Sequence, residues 1–61
     1  PSMIYDIAWP AEAAGAAAAA GGRPDLARRA YVLAQRLWTD ARQPHDADRI
    51  DKVLSTLSAQ A

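Results

Sequence analysis

Apolar side chains recur at helical spacing through the middle and end of this chain. Leu26, Ala30, Leu33 and Leu37 are separated by four, three and four residues, one stripe along a helix. Ala27, Tyr31, Ala34 and Trp38 make a second stripe beside it. Together they form a sector too wide for one neighbour, so a helix over 24–41 is predicted to touch two others. Ile50, Val53, Leu54 and Leu57 repeat the i, i+3, i+4, i+7 pattern. They predict a further helix over 45–59, with Ser58–Ala61 fraying. Residues 10–20, PAEAAGAAAAA, show little contrast between faces. Alanine has the highest helix propensity, however, so a first helix is predicted over 9–20.

The breaks between these segments carry their own signals. Gly21 and Gly22 suit a left-handed helix end. Pro24 suits the first turn of the next helix, where its missing N–H would be unbonded anyway. Asp25 then sets a negative charge at that helix's positive end. Pro44 can open the third helix in the same way, with Asp46, Asp48 and Asp51 near its start and Asp48 and Lys52 spaced as a surface pair. Gly15 inside the first helix points to a close crossing. The expected fold is all-α: an antiparallel helical hairpin plus a third packing helix over 10–60, preceded by a short apolar arm over 1–9. Leu33, Leu37, Ile50, Val53, Leu54 and Leu57 are the expected core.

The arm PSMIYDIAW is dense in large apolar groups, and Ile4-Tyr5-Asp6-Ile7 can be extended. Trp9 precedes Pro10, which biases it away from helical angles. Either the arm folds over the hairpin and buries Trp38, or it packs on another chain. Aromatic groups contribute large contact area and dominate many interfaces. Ile4, Tyr5, Ile7, Trp9, Tyr31 and Trp38 are therefore the candidate protein-binding residues.

Composition sharpens this picture. Of 61 residues, 51% are hydrophobic, but sixteen of those are alanine and only fifteen are larger. A chain this short with so thin a core usually needs a staple, a metal or a partner. It has no cysteine for disulfides or thiolate sites. Net charge is zero, which argues against non-specific binding to nucleic acid or anionic membrane. No apolar run approaches the roughly 20 residues that span a bilayer. A cytoplasmic location is expected. The excess of alanine and arginine suggests a GC-rich bacterial genome.

At the turn and second helix the sequence resembles a tetratricopeptide repeat, a 34-residue helical hairpin that binds proteins. The resemblance rests on Gly15 in the first helix and on Ala27, Tyr31 and Ala34 in the second. It covers residues 8–41 and implies a protein partner, with the third helix resembling the solvating helix that closes such arrays. The family's first-helix aromatics are replaced by Ala11 and Ala18, its large residue before the glycine by Ala14, and its closing proline by Thr39. An ordinary antiparallel bundle would show much the same pattern. Small tautomerases, which use an amino-terminal proline as base, are a remoter resemblance through Pro1. Their strand–helix–strand fold does not suit the helical spacing found after residue 9.

Catalytic chemistry is sparse. His45 is the single histidine, and Ser2, Ser55 and Ser58 carry no nucleophile motif. His45, Asp46 and Asp48 point in different directions on a helix start, whereas a metal needs three or four converging ligands. The expectation is a non-enzymatic module without metal, cofactor or small-molecule substrate. It would bind a partner protein or itself. The alternative is a regulatory or nucleic-acid-binding fragment presenting Arg28, Arg29 and Arg36.

Overall fold

A computed structural model of the chain describes residues 3–60; Pro1, Ser2 and Ala61 lie outside the described residues, and with them the tautomerase resemblance at Pro1. Three helices follow one another: α1 (Met3–Ala20), α2 (Pro24–Asp40) and α3 (Pro44–Gln60). α2 packs on both neighbours, as its wide apolar sector requires. The contacts show both pairs to be antiparallel. Trp38 near the end of α2 meets Tyr5 and Trp9 near the start of α1. Along α3, Gln35 reaches Asp51 while Arg28, earlier in α2, reaches Ser58, later in α3.

One turn geometry joins both pairs. In the first, the Arg23 N–H donates to the Ala18 carbonyl at 2.8 Å and the Gly22 N–H to Ala19 at 3.1 Å. In the second, Gln43 donates to Trp38 at 2.9 Å and Arg42 to Thr39 at 3.0 Å. These paired bonds close each helix on a left-handed residue, Gly22 at φ 76° and Arg42 at φ 59°. Pro24 and Pro44 then open the next helices, where no N–H is missed.

Two expectations need correction here. Residues 3–9 are not an arm: they are the first turns of α1, which runs unbroken through Pro10. Proline inside a helix costs about 3 kcal/mol. The offset comes from tertiary packing, since the turns before Pro10 carry Tyr5 and Trp9 onto Trp38. At the other end α3 stays helical to Gln60.

The core also differs in detail. Ala8, Ala27, Tyr31, Ala34, Trp38, Ile50 and Leu57 are buried, with Leu37, Val53 and Leu54 packed half-buried against them. Leu33, expected in the core, is 47% exposed. The stripe that α2 buries is the one made of Ala27, Tyr31, Ala34 and Trp38, because its small residues admit a neighbouring backbone that leucines would hold away. Gly15 marks that approach: a Cβ built there would lie 2.9 Å from the Tyr31 ring.

Candidate protein-interaction surface

The first two turns of α1 divide into three edges. Ala8 is buried against α2 and Ile4 is half-buried. Tyr5 and Trp9 occupy the edge toward α3. Met3 and Ile7 occupy the opposite edge and are 72% and 46% exposed.

The α3 edge is built around the Trp38 indole, which is 1% exposed. Trp9 meets it edge-on with centroids 5.1 Å apart, and Tyr5 does so at 5.7 Å. A buried indole N–H needs an acceptor. Glu12 supplies one, its Oε1 lying 3.2 Å from Trp38 Nε1. The same carboxylate accepts from both terminal nitrogens of Arg49: Nη2 donates to Oε1 at 3.0 Å and Nη1 to Oε2. Arg49 Nη2 also donates to Asp46 Oδ1 at 2.9 Å, and its guanidinium carbon sits 5.8 Å from the Trp9 ring centroid. The Tyr5 hydroxyl accepts from Gln43 Nε2 at 2.7 Å. α1 and α3 are thus tied by side chains across the end of α2. Arg49 hydrogen bonds hold the Glu12 carboxyl below its ordinary range, against the opposing effect of burial, with Trp38 adding to the lowering. Glu12 and Asp46 in turn push the Arg49 guanidinium above its ordinary value.

Of the six candidate binding residues, Tyr31 and Trp38 are internal, at 7% and 1% exposure, and offer no surface to another chain. α1 itself covers them. Tyr5 and Trp9 keep exposed outer faces while packing on Trp38, and Ile7 stays open. Residue spacing did not reveal Glu12, Arg49 and Asp46 as a network. One signal was available: Glu12 is the single charged residue between Asp6 and Arg23, in a stretch otherwise of alanine, glycine, isoleucine, tryptophan and proline.

On α2, Arg28 donates to Ser58 Oγ at 2.8 Å, while Arg29 and Arg36 are exposed. Asp48 and Lys52 make no ion pair among the described residues. Among those residues no three His, Cys, Asp or Glu side chains gather closely enough to hold a metal ion. No described helix is long and apolar enough to cross a membrane. Comparison of the chain with protein-family models, with curated proteins and with solved structures finds no match.

Proposed function

We propose that this chain is a small helical module for protein–protein interaction, binding itself or a partner protein. One observation carries the reading. Six large aliphatic or aromatic side chains of α1 and α2 (Met3, Ile7, Trp9, Leu26, Val32 and Leu33) are each at least 41% exposed. Among the described residues, Trp38 and Ile50 are the large side chains that are fully buried. Apolar surface of this density on a monomer marks a contact site. The tetratricopeptide-like reading of residues 8–41 belongs to the same proposal, supported by the close seat of Gly15 against Tyr31. So does a bacterial, cytoplasmic setting, which rests on composition. The nucleic-acid alternative has less behind it, since Arg28 is engaged by Ser58 and net charge is zero.

The test is binding by the whole chain and by Ile7→Glu and Leu33→Glu variants. Sedimentation would follow self-association, and immobilised chain would be offered lysate. The proposal expects self-association, or one retained protein, that both variants lose while circular dichroism stays helical. A chain that neither self-associates nor retains any protein would refute it.

A further inference from the structure

The exposed apolar groups are not scattered. Tyr5 and Trp9 lie on the edge of α1 that reaches Gln43 and Arg49. At about 100° per residue, Met3, Ile7, Ala14 and Ala18 lie on the other edge of its buried face. On α2, Arg28 and Gln35 lie on the edge that reaches α3. Leu26 and Leu33 lie on the other edge by the same rotation. Because α1 and α2 are antiparallel, their two open edges fall on the same side of the hairpin, opposite α3. Four of the seven exposed large apolar residues, Met3, Ile7, Leu26 and Leu33, therefore line one face. By the same rotation the exposed Asp40 and Arg29 flank Leu33 on the α2 edge, one charge of each sign.

We propose that this face is occupied by a second copy of the chain, in a two-fold symmetric dimer. This rests on the interaction-module reading and names its partner. Three features select the copy. First, the two charges on the face are of opposite sign, so it presents no net charge to its own copy, and the whole chain is neutral. Second, the face is uneven in a self-complementary way. Running the two α1 helices antiparallel about a two-fold axis sets Met3 and Ile7 of one copy against Ala18 and Ala14 of the other, large groups onto small. Third, a head-to-tail stack would need a second apolar face on the far side. There α3 turns out Asp48, Lys52, Ser55 and Thr56. A two-fold contact uses one patch twice and closes, leaving no apolar end.

Sedimentation of the pure chain from low micromolar to near-millimolar concentration tests this. The expected species approaches twice the 6.5 kDa chain mass. Leu33→Glu and Ile7→Glu should be monomeric and still helical by circular dichroism. Val32→Glu alters an exposed apolar residue outside the face and should stay dimeric. A wild-type monomer throughout, or a dimer that survives both face variants, overturns the proposal. If the pure chain is monomeric yet retains another protein through Leu33, the second copy is wrong and the interaction module stands. If it retains nothing, both fall.

Discussion

α2 is held on its two sides by different means. Toward α1 it presents Tyr31 to the small Gly15 and Trp38 to the rings of Tyr5 and Trp9, and at Gly15 the helices come so close that there is no room for a methyl group. The large groups of that contact are aromatic, and its outer edge is closed by Glu12 and Arg49. Toward α3 the partner residues are aliphatic, chiefly Ile50 and Leu57, flanked by the Gln35–Asp51 and Arg28–Ser58 hydrogen bonds. A contact of close-set backbones and rings has little slack in either direction. An aliphatic contact can repack. The first should therefore fail on small additions of volume and on loss of a charge, and the second only on large deletions.

The largest effects should come from emptying either side. Trp38→Ala removes a ring with 1% exposure and should cost about 3–5 kcal/mol; Ile50→Ala, at 0% exposure, should cost about 2–5 kcal/mol. Each is comparable to the whole stability of a domain this size. Urea melts of both would measure them. The comparison predicts that Trp38→Ala also frees α1, so protease should cut first between Met3 and Pro10, whereas Ile50→Ala should expose α3 first.

Added volume probes the close α1 contact directly. The Cβ of Gly15→Ala would stand 2.9 Å from Cδ2 and Cε2 of a Tyr31 ring that is 7% exposed and has nowhere to swing. Overpacking costs about 1–3 kcal/mol, and alanine's better helix propensity returns up to about 1 kcal/mol. A net loss near 1 kcal/mol is expected. Leu57→Met, conserving volume across the other contact, should cost under about 1.5 kcal/mol. Shrinking Tyr31 to Leu in the Gly15→Ala background discriminates further: a favourable coupling between the two substitutions is expected. Simple additivity would mean the clash is not what limits the approach.

How much of this was readable in the residues follows from the same contrast. The α3 side was legible: Ile50, Val53, Leu54 and Leu57 carry an aliphatic stripe, and all four lie in or against the core. Both turns were legible from Gly21-Gly22 and from Pro24 and Pro44. The α1 side was not. Its buried positions are alanine and glycine, which carry no amphipathic signal, so Leu33 reads as core and Trp38 reads equally as buried or as interface. The start of α1 was hidden because Trp9-Pro10 argues locally against helix. In the folded chain these turns are held by contacts far off in sequence, Tyr5 and Trp9 on Trp38 and Gln43 on Tyr5.

Charge is the next difference, and pH isolates it. Glu12 titrates below the ordinary 4.5, chiefly because Arg49 hydrogen-bonds to it. A carboxylate lowered on folding adds stability that is fully present above its unfolded value and is lost as pH falls through the folded one. Melting temperature should therefore drop as pH goes below 4.5, and Glu12→Gln should flatten part of that fall while lowering stability at neutral pH. Ile50→Val changes no titratable group, so it should shift the curve without changing its slope. An unchanged acid limb in Glu12→Gln would show that the network adds nothing to the α1 contact.

The smallest effect lies in the turns that join the two pairs. They share the same pair of backbone bonds, yet the left-handed position is Gly22 in one and Arg42 in the other. Glycine adopts positive φ without strain, whereas a side chain there costs about 1–2 kcal/mol. Arg42 makes no ion pair among the described residues to offset that. Arg42→Gly should therefore raise stability, by less than the strain relieved because glycine also loosens the unfolded chain: about 0.5–1 kcal/mol. Gly22→Ala should lower it by a similar amount, through φ strain alone, since nothing lies within 4 Å of the added methyl. Combining both changes should nearly cancel, because the turns are separate and their effects add. If Arg42→Gly destabilises instead, the arginine side chain holds something at the α2–α3 turn. The two turns would then be alike in backbone alone.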